Sequence, residues 1–493
     1  MAAGITSWGV YLPYWRLDRK AIALSLGTAP GKGTRAVASY DEDTTTLGVE
    51  AARRALALPG QAVPDELLFS TPAPAYLDKT NATTVHAALG LPQRTGAYDL
   101  GGSVRSAFGT AMAASAIGRG RTALAVAADL RTGLAGGSDE REAGDGAVAL
   151  CYGPDGAVAE TLAKASATEE FLERWRVPGD VESRQWEERF GEEAYVPLAH
   201  AAFADALKDA GLGPDGLDHV VVAGLHARAV RVVKASLGVA AETLAPDYGA
   251  EVGNLGAAAL GVALADVLER ARPGETVALL LLADGADAVV LRATDALPAV
   301  QAARAAAGLA TVAEQVAGGR KDLPYANFLT WRGQLDREPP RRPEPERPGA
   351  PNMRRSELWK YGFNASRCLN CGFRHLPPAR VCLKCKSIDQ MAYERLADVE
   401  GTVATFTIDR LAFSLSPPVV AAIVDFDGGG RYRCEMTDVD PNTVRIGDRV
   451  QMTFRRFFTA QGVHNYFWKA RPLDDQPSGD ESGTATPTTA KEA

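Results

Sequence analysis

Cys368, Cys371, Cys382 and Cys385 lie in the segment SRCLNCGFRHLPPARVCLKCKS as C-x2-C, ten residues, C-x2-C. Each pair suits a tight knuckle, and two knuckles together complete a tetrahedral thiolate site for Zn²⁺. Gly372, directly after the second cysteine, suits the turn. Protein thiolates would fill all four positions, so the expected site is closed and structural. Binding free energy of about 10–16 kcal/mol in small zinc peptides would then act as folding energy for this short segment. The other two cysteines, Cys151 and Cys434, sit in strand-like runs and are expected in the core.

The chain around this motif has 493 residues, which calls for several domains. Charged residues make up 23% and the apolar set 46%, as in a soluble globular chain. A net charge of −8 argues against a broad nucleic-acid footprint. The longest apolar run, Val277 to Ala283, is far shorter than the ~20 residues of a membrane helix. The start, MAAGITSWGVYLPYW, has neither the basic nor the apolar region of a signal peptide. A cytoplasmic protein without a membrane segment is expected.

Composition marks the expected boundaries. Residues 1–330 alternate strand-like apolar runs with Ala-rich helical stretches. Residues 331–360 are a helix and a linker, in which DREPPRRPEPERPGAPNMRRS carries six prolines and should run extended. Residues 361–390 form the zinc ribbon. Residues 391–472 hold short strands separated by Gly, Pro and Asp signals (GTVATFTIDR, PPVVAAIVDFDG, RYRCEMTDV, DRVQMTFRRF), a pattern that suits a five-stranded OB barrel. The tail, 473–493, has almost nothing to bury and is expected to be disordered.

An internal repeat organises the first part. Residues 104–119 form a helical stretch followed by a Gly/Arg turn, the strand Thr122–Ala127 and a second strand in GDGAVALCY. Residues 255–270 form a similar helix, followed by Arg272-Pro273-Gly274, the strand Val277–Ala283 and a second strand in DGADAVVLR. Continuous apolar strands of this kind suit a sheet covered on both faces. Two such α/β halves predict a duplicated, layered α-β-α-β-α sandwich.

Several segments resemble the thiolase superfamily, and within it the HMG-CoA synthase branch: GITSWGVYLPYWRLDR, SYDEDTTTLGVEAARRAL, FLERWRVPGD with RFGEEAYV, and EVGNLGAAALGVALADVLERARPGETVALLLLADGADA. The resemblance implies a thiolase-like fold, acyl-CoA as substrate and a homodimer. The ribbon and barrel resemble the small acyl-CoA-associated proteins that partner thiolases, here fused to the same chain.

The chain departs from the branch where its chemistry resides. The family's nucleophilic Cys stands at the start of a buried helix, and Ser103 takes its place in DLGGSVRSAFGT. Thr71 stands where the catalytic Glu is expected and Ala223 where the His is expected, with His226 three residues on. Asn254 matches the family's asparagine. A serine hydroxyl needs an activating base, whereas aldol-type chemistry needs an acid/base and donors to an enolate oxygen. The N–H groups around Gly101, Gly102 and Ser103, with the Asn254 amide, are candidate donors. Tyr248 is the first candidate acid/base and His226 the second, against a loop tyrosine and a surface histidine. Ser103 is equally a helix N-cap, and Arg105 is either a CoA-phosphate or carboxylate contact or a structural ion pair. The function expected is C–C bond formation or cleavage on acyl-CoA, by condensation, acyl transfer or aldol chemistry. The alternatives are a silent acyl-CoA-binding scaffold or thiolase partner, and an OB-fold nucleic-acid binder. The aromatics Phe457, Phe458, Tyr466, Phe467 and Trp468 are expected to pack on the large domain or line its acyl channel.

Overall fold

The computed structural model describes residues 4–473 apart from 342 and 344. The first half runs β1 (Gly4–Tyr11), α1 (Thr44–Leu56), β2 (Glu66–Ser70), β3 (Gly96–Asp99), α2 (Arg105–Ile117), β4 (Ala123–Asp129) and β5 (Gly146–Gly153). The second half runs β6 (Ala159–Ala167), α3 (Glu188–Ala210), β7 (His219–Gly224), α4 (Ala227–Ser236), α5 (Ala259–Arg270), β8 (Thr276–Leu282) and β9 (Ala286–Ala293). The pairings repeat in kind. β2–β4 and β7–β8 are parallel, while β4–β5, β8–β9, β1–β5 and β6–β9 are antiparallel. The halves meet where Gly4 and Ile5 pair with Glu160 and Ala159, giving a nine-stranded order β7-β8-β9-β6-β1-β5-β4-β2-β3.

Strand periodicity assigns the layers, because successive side chains face opposite sides of a sheet. Ala125, Ala127, Val148 and Leu150 point inward with Leu279, Leu281, Val289 and Leu291, onto Phe108 of α2 and Val262 and Leu268 of α5. Their neighbours Leu124, Val126, Ala147 and Ala149 pack on Leu47, Ala51 and Ala55 of α1. Ala278, Leu280, Ala288 and Val290 pack on Phe203 and Leu207 of α3. The expected α-β-α-β-α sandwich is therefore present, with α2 and α5 as its middle layer.

The proline-rich segment differs from expectation. A short helix forms at Ala350–Arg355, because Pro351 falls in its first turn, where no N–H is needed. Three short strands (Asn364–Cys368, Arg374–His375, Met391–Arg395) carry the ribbon. The barrel β10 (Gly401–Asp409), β11 (Val419–Phe426), β12 (Arg431–Met436), β13 (Arg449–Ala460) and β14 (Val463–Pro472) closes in the order β10-β11-β12-β14-β13. Of the predicted tail, only Leu473 lies among the described residues, and among these no helix is long and apolar enough to cross a membrane.

The barrel is held to the first half by buried charge. The turn Asp41-Glu42-Asp43 precedes α1, which Asp43 caps through the Thr46 N–H at 3.0 Å. Arg455 reaches Glu42 at 2.6 Å and also Asp438, and Lys469 reaches Asp41 at 3.0 Å. Tyr11 donates to Glu42, and Tyr466 donates to Asp43 at 2.7 Å. Glu50 of α1 accepts from the Phe454 N–H at 3.2 Å and pairs with Arg53 at 3.0 Å. Tyr466 thus packs on the large domain as expected. Trp468 also packs on the large domain, with the Arg53 guanidinium of α1 5.0 Å over its ring, and donates to the Tyr361 carbonyl; Phe467 meets Trp359 and Phe363 edge-on, inside the ribbon–barrel unit.

Burial alone would raise the Glu50 pKa, but Arg53 and Arg471 outweigh it and hold the carboxyl at about 2 against an ordinary 4.5. The unfolded chain therefore takes up this proton first, so the contribution is complete above pH 4.5 and lost as pH falls through about 2. It is worth on the order of 3 kcal/mol. Melting curves from pH 7 down to 3 should show Glu50→Gln less stable at pH 7 and less sensitive to acid than the parent. An identical acid sensitivity would contradict this assignment.

Candidate functional site

The predicted site residues stand at strand ends and at the starts of the two middle-layer helices. Thr71 follows β2, Ser103 lies two residues before α2, Ala223 is in β7 and Asn254 leads into α5. Gly253 has φ +80°, and a side chain there would collide with the Ala143 carbonyl, so glycine is what lets the chain present Asn254.

The structure distributes these residues over two adjoining cavities. One, of about 710 Å³, is lined by Thr71, Gly101, Gly102, Ser103, Asp129 and Asp284. The other, of about 840 Å³, is lined by Ala223, His226, Tyr248 and Asn254, with Arg19, Arg141, Arg231 and Lys234 among its other residues. Arg131, Glu173, Arg174 and Leu225 line both.

In the first cavity, the Ser103 side chain does not cap α2. Among the described residues its hydroxyl meets that of Ser106, at 3.5 Å, and no side chain caps the helix. Two of the anticipated donors are also engaged: the Gly102 N–H points to the Thr71 carbonyl at 3.4 Å, and the Ser103 N–H to the Ser106 hydroxyl at 3.4 Å. Gly102 adopts φ +120°, which explains the glycine. Arg105 lines neither cavity. Its guanidinium pairs with Asp287 at 2.8 Å and bonds the Asp284 carbonyl and Thr168, so the phosphate-contact role is replaced by a structural one.

Carboxyl groups missed in the sequence line the cavity that Ser103 also lines. Glu173, Asp129 and Asp284 each have a pKa raised by burial, partly offset by Arg174 and His226 at Glu173, by Arg131 at Asp129 and by Arg105 at Asp284. A raised pKa favours the protonated form of each, which is the direction a proton carrier needs. Tyr195 stands beside them, and its hydroxyl accepts from the Asp284 N–H at 3.2 Å. Glu173 lies in FLERWRVPGD, where its acidity amid an otherwise recognisable segment was the available signal. Asp284 lies in the Asp-Gly pair read only as a turn.

In the second cavity, the Asn254 amide donates to the Gly224 carbonyl at 2.7 Å and accepts from the Gly256 N–H at 3.0 Å. The Gly224 bond uses one of two amide hydrogens, leaving one for another acceptor. His226 is buried, not a surface residue, and its Nδ1 accepts from the Ala229 N–H at 3.0 Å, capping α4. Tyr248 donates to Asp266 at 2.8 Å; burial first, and this bond second, push its pKa up to about 12. That engagement weakens it as an acid/base.

At the ribbon, one sulfur from each of the four cysteines lies within 4.8 Å of every other. Cys368–Cys385 and Cys371–Cys382 are separated by 3.6 and 3.5 Å, too far for disulfides and close to the ~3.8 Å edge of a tetrahedron with 2.3 Å metal–sulfur bonds. This cluster can hold a metal ion.

Two family models match the chain. Residues 207–292 match the C-terminal domain of 3-oxoacyl-[acyl-carrier-protein] synthase III, and residues 393–455 the C-terminal OB-fold domain of ChsH2. Among solved structures, FabH from Pseudomonas aeruginosa superposes with a TM-score of 0.53 at 26% identity, covering 60% of this chain and 99% of that one. PksG, an HMG-CoA synthase from Bacillus subtilis, superposes with a TM-score of 0.58 at 19% identity, covering 68% and 89%. The duplicated sandwich is thus the thiolase-like fold, joined to a domain of the OB-fold family. Among curated relatives, the hydroxymethylglutaryl-CoA synthase of Aeropyrum pernix is 30% identical over 350 residues, 68% of this chain and 95% of that protein. That of Methanocella arvoryzae is 27% identical over 350 residues, 68% and 99%. The chain belongs to the hydroxymethylglutaryl-CoA synthase family.

Proposed function

We propose that this protein forms or cleaves a C–C bond between acyl-CoA thioesters without a covalent acyl-enzyme. In the synthetic direction, the α-carbon of one thioester loses a proton and adds to the 3-keto carbon of a second. The new alkoxide takes up a proton, and water releases one CoA. Glu173 carries the proton, because it borders both cavities and burial keeps its carboxyl ready to be protonated. The remaining hydrogen of the Asn254 amide serves the enolate oxygen. Arg19, Arg141 and Arg231 line the second cavity alongside the carboxylates Asp139, Glu142, Glu187 and Asp247, and these guanidinium groups are the ones suited to CoA phosphates. The observation that carries the noncovalent reading is that, among the described residues, the only hydrogen-bond partner of the Ser103 hydroxyl is another serine. A scaffold that binds acyl-CoA is the second reading, favoured by Thr71 and Ala223, which cannot move a proton as Glu and His do.

With acetyl-CoA and acetoacetyl-CoA as probes, Ser103→Ala should retain turnover within about tenfold. Asn254→Ala should lose on the order of 10²–10³ in kcat, and Glu173→Gln 10²–10⁴. Intact mass after incubation should show no acyl adduct, and an adduct on Ser103 would overturn the noncovalent reading. Binding without turnover in the parent protein would favour the scaffold.

The four ribbon cysteines are proposed to bind Zn²⁺, one per chain, as a structural ion. Elemental analysis should give one equivalent, lost together with much of the stability in Cys368→Ser. Full zinc content in that variant would refute the site. A homodimer is proposed through β3, an edge strand of the nine-stranded sheet on which Tyr98 is 53% exposed. Light scattering at micromolar concentration should give twice the chain mass, and a monomer would count against it.

A further inference from the structure

The barrel touches the wall of the Ser103 cavity at one histidine. Thr71, Pro72, Ala73, Pro74, Tyr76 and Leu77 line that cavity as a loop after β2. His464 on β14 meets this loop three ways: its backbone N–H donates to the Tyr76 hydroxyl at 2.7 Å, its Nε2 lies 3.2 Å from the Ala75 carbonyl, and its ring lies 4.8 Å from the Tyr76 ring. A carbonyl only accepts, so Nε2 carries the hydrogen. Nδ1 then accepts from the Thr459 hydroxyl, 2.7 Å away. Burial and the Arg456 guanidinium favour this neutral form, against a smaller pull from Asp43. At its other end the loop reaches the catalytic region, because the Thr71 carbonyl accepts from Gly102, beside Ser103.

The loop has supports of its own. Thr44 bonds the Ala73 carbonyl at 2.8 Å, Asn81 bonds both the Tyr76 N–H and its carbonyl, and Arg176 bonds the Pro72 carbonyl. These hold the loop's backbone at Pro72, Ala73 and Tyr76. Ala75 and the Tyr76 ring, at its tip, face the barrel.

We propose that His464 is a positioning residue through which the barrel sets the shape of the acyl cavity, so that the fused domain is a specificity element of the large domain's site. This rests on the reading of that cavity as the place where an acyl thioester binds. Asn81 holds the Tyr76 backbone, whereas the Ala75 carbonyl and the Tyr76 ring and hydroxyl are met from the barrel side by His464, so the outer face of the wall takes its shape from what packs behind it.

Three substitutions separate positioning from stability. His464→Phe keeps a ring against Tyr76 but removes the Nε2–H donor, His464→Gln keeps an N–H near the same place, and Tyr76→Phe removes the other acceptor. With acetoacetyl-CoA as the varied substrate, His464→Phe and Tyr76→Phe should raise KM about three- to tenfold, the loss of one hydrogen bond, with kcat within about threefold. His464→Gln should restore KM. Unchanged KM, or a raised KM accompanied by a lower melting temperature and not rescued by Gln, would overturn the proposal. Hydrogen exchange on the ligand-free protein keeps the test independent of turnover. The amides of Ala73 and Tyr76, bonded to Thr71 and Asn81, should exchange faster in His464→Phe, and unchanged exchange would overturn it. Absence of acyl-CoA binding by the parent, with faster loop exchange in the variant, would refute the cavity's assigned ligand while sustaining the mechanical coupling.

Discussion

Arg455 is fully buried between the two parts of the molecule, facing Glu42 and Asp41 on one side and Asp438 on the other. A guanidinium there is tolerable only because carboxylates and the Tyr11 hydroxyl surround it, and the same holds for Lys469 with Asp41, Glu435 and Tyr40. Taking one partner away would leave charge stranded in the interior at a cost of about 3–5 kcal/mol. The network sits on the Asp41-Glu42-Asp43 turn, which also caps α1, so the helix that covers the first half of the sheet and the seat of the barrel share one set of residues. The barrel is consequently a fixed part of the fold, and its β13–β14 hairpin reaches the cavity wall with a defined aim.

That fixed frame matters because the chemistry is spread over several elements. Duplication supplies two middle-layer helices whose starts converge, one with Ser103 and one with Asn254. The crossover containing Glu173 lies between them and borders both cavities. On the proposed reading, Ser103, Thr71 and Ala223 stand at the family's thiol, glutamate and histidine positions, beside the Asn254 amide, the buried carboxyls of Glu173 and Asp129 and the guanidinium groups of the second cavity. In that proposal these groups serve proton transfer and enolate stabilisation, without the activated nucleophile of acyl transfer.

Much of the architecture was legible because it depends on local pattern. Apolar runs such as Val277–Ala283 need cover on both faces, the Cys368–Cys385 spacing closes a tetrahedron, and evenly spaced strands between Gly and Asp signals close a barrel. The site was legible only in part, because its details depend on partners far away in sequence. The sequence leaves Arg105 open between a phosphate contact and an ion pair, because its partner Asp287 lies far along the chain. The Gly102 N–H is taken by Thr71, and Tyr248 by Asp266. Glu173 was hidden for the converse reason: an ordinary surface-type residue becomes chemically distinct only once the crossover buries it. The short helix at Ala350–Arg355 is not legible in proline content, because the position of Pro351 within the first turn, not the number of prolines, decides whether a helix forms.

The central claim is that the thioester is handled by Asn254 and Glu173 and not by a bond to Ser103. A crystal structure of the protein soaked with acetoacetyl-CoA tests this most directly. The account predicts an intact thioester, with a carbonyl oxygen within hydrogen-bond reach of the Asn254 amide and the Glu173 carboxyl facing the reacting carbon. Continuous density joining the acyl group to the Ser103 Oγ, with free CoA beside it, would contradict it.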